Sequence, residues 1–312
     1  MEVSDVGIAE PAAGEVLVRT LYSGISSGTE MLAYRGELDP SMPTDEVIAT
    51  LQGTFAYPFP YGYSCVGVVK KGAGSVAEGD LVFAFHPHQD VLVTAASDVV
   101  SLRSRDARAA TLFPLVETAL QTTLDAGAVH HEEVLVYGLG PVGLLTCLLL
   151  RRAGASVLAA EPIPWRRSLA ASLGIDAVSP PEVTARVEGG VSLAVEASGN
   201  PEALADALGV LRREGTVLVA SWYGSKPVHL NLGGEFHRRR LSIRSTQVST
   251  MPAALAARWT IERRRRAALA LLEALPLQEL ATHEFPFTEA QQAYETIERG
   301  EPRLMHAALR YG

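Results

Sequence analysis

The chain has 312 residues, enough for two domains with separate cores. Hydrophobic residues make up 47% and charged residues 20%, the ordinary balance of a soluble globular protein. The formal net charge of -8 argues against a nucleic-acid partner, which needs a basic face. Cys65 and Cys147 are the only cysteines, so a disulfide framework and a four-cysteine zinc site are excluded. The acidic start (Glu2, Asp5) lacks a basic-then-apolar leader pattern. The apolar run from Leu144 to Leu150 is cut by Arg151 and Arg152, far short of a membrane span. The expectation is a cytoplasmic enzyme acting on a small molecule, with no membrane partner.

Residues 1 to 110 read as rich in β structure. Glu15 to Thr20 alternates like a half-buried strand. Ser23 to Glu30 reads as a loop, as does the aromatic stretch Tyr57 to Tyr63. Strands follow at Gly62 to Lys70, in Leu81 to Phe85 and at Asp90 to Ala95, with a turn at Lys71 to Ser75. Parallel alternation is absent, so this is a separate, mostly antiparallel unit. Ala109 to Ala126 reads as a helix carrying Glu117. From there strands and helices alternate at 134–137, 142–153, 156–161, 165–173, 191–196, 202–213 and 215–221, the rhythm of a doubly wound parallel sheet. Leu241 to Gln247 is its expected last strand. Residues 252 to 275 read as a helix whose run Arg263 to Arg266 is a solvated face. Thr288 is the expected cap of a helix reaching Tyr294, and Leu304 to Arg310 closes as a strand.

The most specific stretch is Val134 to Leu145. A buried strand ends at Tyr137, and Gly138, Gly140 and Gly143 follow in G-x-G-x-x-G spacing before a helix. In a dinucleotide fold these glycines turn the chain, let a pyrophosphate approach the backbone, and let the helix pack on the sheet. The helix start adds free N–H groups. A second strand, Ser156 to Ala160, ends in Glu161, where a carboxylate can accept from both adenosine ribose hydroxyls. Glu161 favours NAD(H); Arg166 and Arg167 keep NADP(H) open. Pro141, Val142, Arg166 and Ser198 complete the expected cofactor set.

With these motifs the chain resembles a medium-chain dehydrogenase/reductase over nearly its whole length. The resemblance rests on Ser23 to Glu30, Tyr61 to Val69, Glu78 to Val82, Gly138 to Gly143 and Phe287 to Tyr294. His86 to Gln89, Glu117 to Ala119 and Ser221 to Gly224 narrow it to a threonine-dehydrogenase-like branch, and the Ser23 to Glu30 loop is also similar to that of bacteriochlorophyllide dehydrogenases. It implies an α/β protein in which a GroES-like β-rich domain (1–114 and 248–312) accompanies a Rossmann domain (115–247), and a homodimer as a family expectation. The resemblance also implies a strand around Val3 to Ile8; family members usually carry a further strand ahead of it, so this chain starts late by comparison.

The same resemblance puts Ser26, Tyr63 and Phe113 where zinc-dependent relatives place metal ligands. None is a usual zinc ligand, so the expectation is a zinc-independent enzyme. A site of His86, His88 and Cys65 is the remaining metal idea, and it is the lesser reading. The resemblance directs Ser26, Tyr63 and His86 to the substrate cleft. Tyr63 can donate to a developing oxyanion, and His86 or His88 can relay a proton. Thr29 and Glu30 share the Ser26 loop, and Glu117 is a further candidate. The leading reading is hydride transfer between a nicotinamide and a secondary alcohol or its ketone. Alternatives are reduction of an activated C=C bond and a dinucleotide-binding protein without catalysis.

Overall fold

A computed structural model describes residues 1–103 and 106–312. They form two compact units, Met1–Pro114 with Ala267–Gly312, and Leu115–Arg266.

In chain order the first unit contributes β1 (Glu15–Ile25), α1 (Ser27–Arg35), β2 (Cys65–Lys71), β3 (Leu81–Ala84), β4 (Val91–Ala95), β5 (Val99–Ser101) and α2 (Ala107–Ala110). Helix α3 (Phe113–Ala126) leads into the second unit. There follow β6 (Glu133–Tyr137), α4 (Pro141–Arg152), β7 (Ser156–Ala160), α5 (Pro164–Ser172), β8 (Asp176–Val178), α6 (Val183–Arg186), β9 (Val191–Glu196), α7 (Pro201–Gly209), β10 (Leu211–Val219) and β11 (Ser242–Ser245). Helix α8 (Ile261–Ala274) returns the chain to the first unit, which ends with α9 (Leu277–Leu280), β12 (His283–Pro286), α10 (Ala290–Glu298) and β13 (Ala307–Arg310).

In the first unit β1 is the organising strand. Its even positions Val16, Val18 and Thr20 are buried while Arg19 faces out, the period-2 alternation of a strand with one covered face. It pairs antiparallel with β2, β4 and β13, in a sheet of order β12-β13-β1-β2-β3-β5. Among the described residues, only β12 and β13 run parallel there. One core collects Val16, Val69, Val82 and Leu92; another joins Ile25, Ala293 and Leu309 under α10. This is the GroES-like β-rich unit.

The second unit is a six-stranded sheet of order β11-β10-β9-β6-β7-β8, parallel throughout. Leu135, Ala194, Leu211 and Val217 are fully buried in its core, as expected for strands covered on both faces. Strand order reverses between β6 and β9, the switch point where open α/β sheets bind ligands. This is the Rossmann unit.

Several elements depart from expectation. Residues 1–12 form no strand and are almost wholly exposed, so Val3 to Ile8 is not one. Most of the loop expected at Ser23 to Glu30 is structured: β1 runs to Ile25 and α1 starts at Ser27. Helix α7 ends at Gly209, and β10 begins at Leu211, which is buried and stands in register with Val191 of β9. Helix α8 starts only at Ile261, where the Thr260 hydroxyl accepts from the Arg263 N–H at 3.1 Å. Thr288 lies inside a 3-10 turn, Phe287–Glu289, and caps nothing. Residues 248–266, expected with the returning segment, belong to the second unit, where Arg264 is held by Glu117 and Gln121.

Candidate active site

The second unit places a glycine-rich turn and a helix start at its switch point. Gly138 follows β6 with φ +91°, a left-handed conformation that disfavours a side chain, and a Cβ there would meet the Ser198 backbone at 2.7 Å. A Cβ at Gly143 would meet the Gly138 carbonyl oxygen at 1.9 Å, so α4 approaches the loop only because that residue is glycine. Gly140 caps α4, and the space a Cβ would take there is open for 4 Å. Pro141 occupies the first helical turn, and Val142 and Gly143 follow with their N–H groups at the positive end of a 12-residue helix. These features fit a pyrophosphate.

Glu161, one residue beyond β7, is 2% exposed. Its carboxylate already accepts from the Leu139 N–H at 2.7 Å and the Ile163 N–H at 2.9 Å. Those bonds tie the glycine loop to the end of β7, and each oxygen keeps a lone pair for a further donor. The Arg166 guanidinium lies 3.9 Å away. Arg167 donates instead to the carbonyls of Glu161 and Pro162, at 2.6 and 2.8 Å. Ser198 stands on the loop after β9, against Gly138.

The first unit gathers the other candidates. Burial pushes the Tyr63 hydroxyl up to about 12, although the neighbouring Ser26 and Thr29 side chains favour its ionised form. It therefore stays protonated and able to donate at neutral pH. Ser26, at the start of α1, donates its backbone N–H to Glu30 at 2.7 Å. The His86 ring lies 3.2 Å from the Pro87 carbonyl, and burial holds its pKa below the usual imidazole value.

Glu30 and His88 form a network that sequence reading missed as a unit. Glu30 is 1% exposed, and its Oε2 accepts from His88 Nε2 at 2.9 Å and from the Tyr294 hydroxyl. His88 Nδ1 lies 2.7 Å from the Ser23 hydroxyl, itself 2.8 Å from the Tyr311 hydroxyl. Burial pushes the Glu30 carboxyl up, but His88, Tyr294 and the Ser26 N–H outweigh it and hold the carboxyl below the ordinary range. Both imidazole nitrogens of His88 are thus engaged. Tyr294 and Tyr311 come from far along the chain, which no local motif signals.

Glu117 is 2% exposed within the second unit and paired with Arg264, itself 2% exposed, at 3.2 Å. Arg264 also donates to Gln121 at 2.7 Å. Burial raises the Glu117 carboxyl despite Arg264 and Arg265. An ion pair with Arg264 already engages this expected site carboxylate.

The metal idea fares poorly on donor chemistry. Phe113 is fully buried, its ring centroid 4.8 Å from that of Phe83. The Cys65 thiol donates to the His86 and Pro87 carbonyls, and burial pushes it up to about 12. A hydroxyl, a phenol and a phenyl ring do not fit a zinc ion, and His88 has no nitrogen to spare.

A family model described as zinc-binding dehydrogenase matches residues 141–261. The 2-desacetyl-2-hydroxyethyl bacteriochlorophyllide A dehydrogenase of Rhodobacter capsulatus is 30% identical over 309 residues, covering 93% of this chain and 88% of that protein. Among solved structures, an alcohol dehydrogenase from Escherichia coli CFT073 complexed with NADH superposes with a TM-score of 0.75 at 19% identity, covering 97% of this chain and 94% of that one. A dehydrogenase of the zinc-binding type from Sinorhizobium meliloti 1021, bound to NADP, gives 0.74 at 19% identity over 98% and 94% of the two chains.

Proposed function

The chain belongs to the medium-chain dehydrogenase/reductase superfamily, and from that premise we propose that it is a zinc-independent, NAD(P)-dependent oxidoreductase interconverting a secondary alcohol and its ketone. The observation that carries the zinc-free part is the donor set itself: Ser26, Tyr63 and Phe113 stand where the superfamily's metal ligands are expected. A bound nicotinamide would supply or accept the hydride. Gly138, Gly140, Pro141, Val142, Gly143 and Ser198 would hold the dinucleotide, with Glu161 and Arg166 at the adenosine ribose.

The chain's own residues then manage the oxygen and its proton. In the oxidation direction the alcohol loses a hydride from carbon and a proton from oxygen. Tyr63, kept protonated by burial, donates a hydrogen bond to that oxygen as charge builds. His86, kept neutral by burial at neutral pH, is ready to take the proton. Ser26 and Thr29 orient Tyr63, and Glu30 fixes their turn through the Ser26 N–H. The buried Glu161 carboxylate favours NAD(H), because it would repel a 2′-phosphate, while Arg166, 3.9 Å from it, keeps NADP(H) open.

The test is a panel of ketones and enones supplied with NADH and with NADPH. Ketone-dependent oxidation, stronger with NADH, supports the reading. Oxidation with enones alone would assign reduction of an activated C=C bond instead, and binding without oxidation would assign a dinucleotide-binding protein.

A further inference from the structure

Glu196 ends β9 at the switch point and is 0% exposed. Among the described residues no cation pairs with it. A buried carboxylate without a counter-charge is costly unless donors saturate it. Four donors do so. The Ser198 N–H and hydroxyl reach Oε1 at 2.6 and 2.5 Å, and the Gly199 N–H reaches it at 3.0 Å. The Tyr223 hydroxyl reaches Oε2 at 2.7 Å. The Gly199 N–H is also 2.8 Å from the Ser221 hydroxyl.

These donors sit on two loops, one after β9 and one after β10. The first packs against the glycine turn after β6, where Ser198 leaves no room for a Cβ on Gly138. Glu196 thereby ties three successive strand ends into one rim. Sheet order tells which half of a dinucleotide that rim faces. Glu161 stands beyond β7, on one side of β6, and marks the adenosine half; β9 and β10 lie on the other side. The rim therefore belongs to the nicotinamide half.

We propose that Glu196, with Tyr223 as its outer clamp, is a positioning residue for the nicotinamide half of the cofactor, an inference that rests on the dinucleotide reading above. The Tyr223 hydroxyl is committed to this carboxylate. Two ligands separate positioning from general stability, because ADP-ribose lacks the nicotinamide that NADH carries.

The experiment measures Kd for NADH and for ADP-ribose on the full chain, as wild type, Glu196→Gln and Tyr223→Phe. Loss of a hydrogen bond to a buried charge predicts NADH binding weaker by about tenfold in Glu196→Gln and several-fold in Tyr223→Phe. ADP-ribose binding stays within about twofold of wild type, since the adenosine side is untouched. Unchanged NADH binding in both variants, or equal weakening of both ligands, would overturn the proposal. If Glu196→Gln does not fold, Tyr223→Phe alone decides. A wild-type protein that binds neither ligand would defeat the dinucleotide reading itself.

Discussion

Replacing Arg264 by Met tests whether Glu117 is a structural carboxylate or a catalytic one. The change removes a guanidinium that is 2% exposed and 3.2 Å from a carboxylate 3% exposed at its side chain. Arg265 stays 3.8 Å away, but its side chain is 38% exposed, so water screens much of its charge. The orphaned carboxylate can escape by taking up a proton. From its ordinary value of 4.5, remaining protonated at pH 7 costs about 3 kcal/mol, at about 1.4 kcal/mol per pH unit. That agrees with the roughly 3–5 kcal/mol typical of breaking one half of a buried pair. Urea unfolding followed across pH gives the assay. The loss in Arg264→Met is largest near pH 7–8 and shrinks towards pH 5, where Glu117 accepts a proton at little cost. The sign follows because the folded variant then holds a proton that the unfolded chain releases as pH rises. A loss under about 1 kcal/mol, or one independent of pH, would mean that Arg264 does not hold Glu117 as a buried pair. Glu117→Gln should leave kcat within about threefold of wild type, as suits a residue outside the chemistry.

Tyr63→Phe removes the proposed oxyanion donor and should lower kcat by roughly 100- to 1000-fold with NADH affinity unchanged, read by steady-state kinetics and binding. His86→Gln should abolish the acidic limb of the alcohol-oxidation pH profile, which lies below pH 6.5 because burial depresses that imidazole; a limb that survives would remove His86 from the mechanism. His306 is buried beside Thr111, and burial lowers its pKa to about 4 from 6.5. The unfolded chain binds the extra proton between those values, so stability present above pH 6.5 falls by about 3 kcal/mol as pH drops to 4. Thermal melts across that range should show the loss, and a flat profile would contradict it.

How much was legible in the sequence depends on range. The glycine turn, α4 and Glu161 are encoded within some 30 residues, and each sits where its local pattern put it. Local patterns failed where tertiary contacts decide. Helix α1 carries no apolar period strong enough to mark it inside the Ser23 to Glu30 stretch. Helix α7 yields to β10 because Leu211 is worth more buried beside Val191 than continued as helix. The Glu30–His88–Tyr294 network joins residues up to 264 positions apart, and only folding reveals it. Glu117 and Arg264, 147 positions apart, show the same limit, since a lone helical Glu reads equally as solvated or catalytic.

Hydride transfer without a metal is tested by assaying metal content and ketone-dependent NADH oxidation on one sample before and after exhaustive chelation. Zinc should be substoichiometric and the rate unchanged. A rate that falls with chelation and returns with added zinc would contradict it.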